Sequence, residues 1–244
     1  MGSDGPAFYD DDERFARYVT QRARLDNPND TLEAPVIDGL VGDPASLRVL
    51  DLGCGDGRFG RVLLERGAAR YVGVEGSRRM AEAARRMLCG TAGDVVEADL
   101  EEWPMPRAAF DLVVSRLVLH YLADLAPVLR RAADALVPGG RCVLSVEHPV
   151  ITSCARGWPP GQPRRDWIVD DYFEVGARDT EWLGGEVRKY HRTVEDYFTA
   201  LQRAGFTVEA LRESRPERAR FVDDDTYARR CRIPLFLFLA GRRD

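Results

Sequence analysis

The sequence predicts an α/β fold, a doubly wound and mostly parallel sheet with helices on both faces. Three observations predict it. Through the middle of the chain, short apolar runs alternate with stretches of helical periodicity. A glycine-rich turn joins the first run to the first helical stretch, and acidic residues close the first three runs or follow them directly. Alternation of this kind gives parallel strands joined by crossover helices. Ligands of such sheets bind outside the carboxyl ends of the strands, where strand order switches.

The first five strands are predicted at residues 48–52, 71–75, 95–99, 110–117 and 141–147. Between them, Phe59, Val62 and Leu63 fall at i, i+3, i+4. Met80, Ala83, Ala84, Met87 and Leu88 follow the same rule, as do Leu125, Val128, Leu129, Ala132 and Leu136. Each set puts one apolar stripe on a helix. Gly67 and Gly139 are placed to stop two of these helices. The alternation breaks after Glu147: residues 150–192 are rich in Pro, Gly, Arg and aromatic side chains. A helix returns with Val194, Tyr197, Phe198 and Leu201, opened by Thr193 and closed at Gly205. Two last strands are expected at 206–211 and 234–240, with an exposed charged loop at 213–226 between them.

Bulk properties narrow the function. A chain of 244 residues supports one well-buried core. With a net charge of −5 it gains nothing from phosphate attraction, so nucleic acid is not the expected partner. No stretch reaches the roughly 20 apolar residues that cross a bilayer, and the acidic first residues lack the apolar core of a signal peptide. Cys54, Cys89, Cys142, Cys154 and Cys231 are odd in number and never spaced C-x-x-C. That pattern predicts neither a disulfide framework nor a zinc knuckle, and it fits a reducing, cytoplasmic setting. The chain has one lysine, Lys189, among 35 Lys and Arg residues.

The most informative segment is Val49-Leu50-Asp51-Leu52-Gly53-Cys54-Gly55-Asp56-Gly57-Arg58-Phe59-Gly60. Its glycines permit a tight turn and close approach of backbone to ligand, with a helix N-terminus aimed at the same place. Read from Gly55, it also satisfies the G-x-G-x-x-G pattern of dinucleotide binding. Asp51 argues otherwise, since a carboxylate before the first glycine disfavours a pyrophosphate and suits an amino group. Glu75, at the second strand end, is placed for two ribose hydroxyls, and Asp99, before Leu100, for an adenine amino group. Acidic groups at three successive strand ends suit a cationic ligand carrying adenosine, such as S-adenosylmethionine.

With Gly73-Val74-Glu75-Gly76-Ser77, Glu97-Ala98-Asp99-Leu100, Phe110-Asp111-Leu112-Val113-Val114-Ser115 and Leu136-Val137-Pro138-Gly139-Gly140 in order, the chain resembles the class I (Rossmann-like) S-adenosylmethionine-dependent methyltransferases over about residues 48–148. The resemblance implies seven strands with the last, 234–240, antiparallel. It implies cofactor contacts at Asp51, Gly53, Cys54, Gly55, Glu75, Gly76, Ser77, Asp99, Leu100 and Ser115, with His120 packed beside the cofactor. It implies an N-terminal helical lid at 1–46, a core at 47–149 and 193–244, and a substrate cap at 150–192, all in one domain. In the lid, Phe8, Tyr9, Phe15, Tyr18 and Arg22 precede the first strand. Tyr18 and Arg22 share a helix face, with Arg22 expected at the methionine carboxylate and Tyr18 over the sulfonium or the acceptor.

Methyl transfer from a sulfonium is an in-line displacement, and an acceptor carrying a proton needs a base. His148 and His191 are the candidates for that base or for orienting the acceptor, with Glu147 as partner. His120, His148 and His191 contain no i, i+4 pair, so no metal is expected. Tyr9, Trp158, Trp167, Tyr172, Trp182 and Tyr190 are expected to line a pocket for a small aromatic or heterocyclic acceptor, methylated on O, N or C, for example an indole. The arginine-rich composition is similar to that of actinobacterial enzymes of secondary metabolism. The competing readings are an NAD(P)-dependent oxidoreductase using the same turn, an RNA or protein methyltransferase, and a non-enzymatic binding module. Asp51 and Asp99 argue against the first. The acidic balance, and Ser115-Arg116-Leu117 where Asn/Asp-Pro-Pro-Tyr would stand, argue against the second.

Overall fold

The structure is a computed structural model describing residues 5–158 and 166–244. Residues 159–165 of the expected cap lie outside the described residues. Strands β1 (Arg48–Leu52), β2 (Arg70–Glu75), β3 (Gly93–Glu97), β4 (Phe110–Arg116) and β5 (Leu136–Glu147) are parallel, in the order β3-β2-β1-β4-β5. The sheet is completed by β8 (Phe206–Glu213) and β9 (Phe236–Arg243), in the order β5-β9-β8, with β9 antiparallel to both neighbours. The expected seven strands and antiparallel last strand are present. Two strands of the inserted segment, β6 (Gly176–Trp182) and β7 (Gly185–His191), form a separate antiparallel pair.

Side-chain alternation builds a core on each face. Leu50, Leu52, Val72, Val74 and Val113 pack on one face, against α6 (Leu125–Ala135) and α8 (Val194–Arg203). Val49, Tyr71, Leu112, Val114 and Val143 pack on the other, against α3 (Ala34–Val41), α4 (Arg58–Glu65) and α5 (Arg78–Leu88). Thr193 and Asp196 close a reciprocal capping box at the start of α8, satisfying backbone donors that the first turn leaves free. The N-terminal α1 (Gly5–Tyr9) and α2 (Asp12–Arg22) lie outside the core layers, whereas Ile37 and Val41 of α3 are fully buried in one.

Some elements differ from expectation. The third strand ends at Glu97, because Asp99 begins a turn: its side chain accepts from the Glu101 N–H and its carbonyl from the Trp103 N–H. Helix α6 stops at Ala135, so Leu136 opens a strand, and Gly139 sits inside β5 at φ +76° instead of capping a helix. The expected exposed loop at 213–226 buries Phe221 and runs into α9 (Asp224–Arg230). Strand order reverses between β1 and β4, which places the ligand crevice over Gly53 and Leu117.

Candidate active site

At that crevice lies a cleft of about 750 Å³, within the range of small-ligand sites. A smaller side chamber of about 80 Å³ shares Tyr18, Asn29, Gly53, Gly55, Arg116 and Leu117 with it.

The floor is the turn after β1. Gly53 takes φ +78°, and a β-carbon there would stand 2.2 Å from Val118 Cγ2, so the position admits only glycine. Gly57, also at φ +78°, lets the turn meet α5 closely: a β-carbon would stand 2.9 Å from Ala84 Cα. Across the turn, Leu117 takes φ +57°, strained for a branched residue, and donates its N–H to the Ser145 carbonyl and hydroxyl.

Asp51, Glu75 and Asp99 line the cleft or its side chamber. Asp51 shares its sheet face with Tyr71, whose hydroxyl donates to Oδ2 at 2.6 Å. Oδ1 is buried without a partner, and Asp51 lines the side chamber. Burial pushes its carboxyl up to about 6, against the pull of the Tyr71 hydrogen bond and Arg116. Glu75 accepts from the Gly55 N–H at 2.8 Å and the Ser77 N–H at 2.9 Å. Burial pushes it up to about 7, although those two bonds favour its charge. Asp99 and Leu100 line the same end, beside Gly76. Cys54 lines the side chamber, its thiol pushed up by burial and so held protonated.

The N-terminal helices border this end. Tyr18 lines both chambers, and its ring packs edge-on to Tyr9 at 5.4 Å. Arg22 donates through Nη2 to Asp30 at 3.1 Å, while Nη1 is buried and unpartnered in the side chamber with Asp51. Two orphan groups of opposite sign in one small chamber fit the amino and carboxylate groups of an amino acid. Asp10 latches the lid: its carboxylate accepts from the Ser77 hydroxyl at 2.7 Å and the Arg79 N–H at 3.1 Å. Arg17 Nη1 donates to the Leu183 carbonyl at the turn of the inserted hairpin, 3.1 Å away.

The cleft is also lined by aromatic side chains. Tyr9, Trp158, Trp167, Trp182 and Tyr190 all line it, as does Tyr121, which the sequence reading passed over. Trp158 and Trp167 pack edge to face at 5.1 Å. His120 lines the cleft; burial pushes its imidazole down to about 4, so the ring is neutral, and Nδ1 accepts from the Glu147 N–H. Glu147 lines the cleft too, but its partner is Lys189 of β7, Nζ to Oε1 2.6 Å, and not His148. No sequence signal linked residues 42 apart on different strands.

Several expected site residues stand elsewhere. His148 caps the short α7 (Pro149–Thr152) by accepting from the Val150 N–H, and its Nε2 meets Glu213 at 3.0 Å. His191 is fully buried, with Nδ1 at the Thr152 hydroxyl and Nε2 at the Tyr172 carbonyl. Neither lines the cleft, and both rings have two partners, so the structure gives neither a reacting atom to serve. Tyr172 also stands off the cleft, its hydroxyl accepting from the Val194 N–H. The Ser115 hydroxyl donates to the Leu52 carbonyl, and Ser77 caps α5. Both hold the site's walls without lining it.

Comparison with known proteins agrees with this geometry. Residues 50–144 match a family of methyltransferase domains. The S-adenosylmethionine-dependent methyltransferase of Mesorhizobium loti is 36% identical and superimposes with a TM-score of 0.81, covering 91% of this chain and 100% of that one. A Haemophilus influenzae protein without an assigned function is 30% identical over 84% of this chain and 85% of its own length. The trans-aconitate 2-methyltransferase of Rhizobium etli is 41% identical over 139 residues, which is 56% of this chain and only 48% of that enzyme. The chain belongs to the S-adenosylmethionine-dependent methyltransferases, class I, and its cofactor is S-adenosylmethionine. The residues present fit that cofactor: the orphan Arg22 Nη1 and Asp51 Oδ1 meet in one small chamber beside the glycine turn.

Proposed function

We propose that this enzyme methylates a small aromatic or heterocyclic acceptor held in the tryptophan- and tyrosine-lined end of the cleft. The single observation that carries this reading is that lining: Tyr9, Tyr121, Trp158, Trp167, Trp182 and Tyr190 meet around one space. Planar apolar faces of this kind favour a planar apolar guest.

The cofactor, when bound, supplies an electrophilic methyl on a sulfonium sulfur. The chain's residues hold and orient. Glu75 takes the ribose hydroxyls, Asp99 the adenine amino group, Asp51 the methionine amino group and Arg22 its carboxylate. Tyr9 and Tyr18 cover the junction of the two ends and keep water from it, which strengthens every electrostatic contact inside. Nucleic acid and protein are not the acceptors in this reading, because the net charge is −5 and the acceptor end lies under the lid and the inserted hairpin.

A second reading, methylation of a small carboxylic acid, draws on the Rhizobium etli relative, whose match spans less than half of that enzyme. The test is transfer of labelled methyl from S-adenosylmethionine to a panel of indoles, phenols, aromatic amines and small di- and tricarboxylic acids. Label in the aromatic members is the expected result. Label confined to the carboxylic acids would replace this reading with the second.

A further inference from the structure

Glu147 ends β5 and lines the acceptor end of the cleft. Lys189, almost fully buried on β7, donates to Glu147 Oε1 at 2.6 Å. Its Nζ also stands 5.5 Å from the Trp182 ring centre and 5.9 Å from that of Tyr121. Lys189 is not among the residues lining the cleft, so its ammonium sits behind the carboxylate and the two rings. In a chain that otherwise uses arginine, the one lysine fills this place, presenting a compact point charge in place of a planar fork.

The pair is electrically neutral as a unit, and this restricts what the cleft accepts. Two of the aromatic rings already face the Lys189 ammonium, so they are not free to cage a cationic guest. The Glu147 oxygen not held by Lys189 makes no hydrogen bond among the described residues, and the Glu147 side chain is partly open to the cleft. A carboxylate oxygen accepts and cannot donate, so this one needs a donor on the guest. Resting on the aromatic-acceptor reading above, we infer that Glu147, held in place by Lys189, recognises an N–H or O–H carried by a neutral aromatic acceptor. Glu147 is then a specificity-determining residue, and Lys189 of the inserted hairpin is its positioning residue.

The experiment uses indole and benzothiophene as probes, two bicyclic rings of similar shape of which only indole carries a donor. Each is titrated calorimetrically into the full chain saturated with S-adenosylhomocysteine. Indole should bind about ten- to hundredfold more tightly, the worth of a hydrogen bond to a charged group. Lys189→Met should shrink that preference with Glu147 intact. Removing one charge strands the other in the interior, so the double variant Glu147→Leu/Lys189→Met, which removes both, is measured alongside. It should bind benzothiophene as the wild type does and show no preference for indole. Equal affinity in the wild type, or a preference that survives in the double variant, would overturn the inference and leave the aromatic reading in place. Failure of both probes to bind would overturn the two together.

Discussion

At the scale of single residues, the glycine-turn side of the cleft holds strained or poorly solvated groups. Asp51 and Glu75 are held up to about 6 and about 7 by burial, above the usual carboxylate range. A carboxyl raised by folding stabilises the ligand-free protein below its unfolded value, and that stability is lost as pH rises through the folded one. His148 and His191, lowered chiefly by burial, act the opposite way as pH falls below the ordinary imidazole value. The cofactor's amino group and hydroxyls favour the ionised carboxylates. Affinity for S-adenosylmethionine should therefore rise by about tenfold between pH 6 and pH 8, and Glu75→Gln should weaken binding and flatten the profile. Titration calorimetry at three pH values checks this. Asp51→Asn should stabilise the ligand-free protein by about 1–3 kcal/mol at pH 8 while weakening cofactor binding, a trade visible by denaturant unfolding beside calorimetry. Gly53→Ala should cost about 1–3 kcal/mol and cofactor binding, because its β-carbon would meet Val118 in a backbone conformation that alanine resists. These residues were legible because strand-end acids and turn glycines are local signals. The histidines were not: the partners of His148 and His191 are Glu213, Thr152 and the Tyr172 carbonyl, which only the tertiary fold brings near.

At the scale of elements, hydrogen bonds join the N-terminal helices to the core and to the inserted hairpin. Asp10 ties these helices to α5, and Arg17 ties them to the hairpin turn. Removing residues 1–22 should leave a cooperatively folding core, since α2 buries no residue of its own and Phe8 of α1, though buried, belongs to neither core cluster of the sheet. It should weaken cofactor binding more than tenfold, through loss of Tyr18 and Arg22, as calorimetry on the truncated chain would show. The helices and core strands were legible within a few residues because their periodicity is strong. The hairpin was not read, although Leu183 and Gly184, at φ +49° and +77°, form its two-residue turn. Gly184-Gly185 between Arg178-Asp179-Thr180 and Val187-Arg188-Lys189 was the available signal. Aromatic and charged side chains obscured it, because one face of the pair covers a cleft instead of a core.

At the scale of the whole molecule, the sheet supplies the floor of the cleft, and the N-terminal helices and the inserted segment after β5 supply much of its remaining lining. The order β3-β2-β1-β4-β5 sets the crevice, which the sequence places through its strand–helix alternation, the glycine turn and the acids at three strand ends together. Of the six aromatic residues expected to line a pocket, five line the cleft and Tyr172 does not, while Tyr121 and the Glu147–Lys189 pair, which depends on the hairpin, left no local signal. The most direct test of the account is a calorimetric titration of the protein with S-adenosylmethionine and its demethylated product, with NADH in parallel. Saturable micromolar binding of the first two, and none of NADH, is the predicted result. Tight binding of NADH with no response to either sulfur ligand would contradict it, and with it every role assigned to Asp51, Glu75 and Asp99.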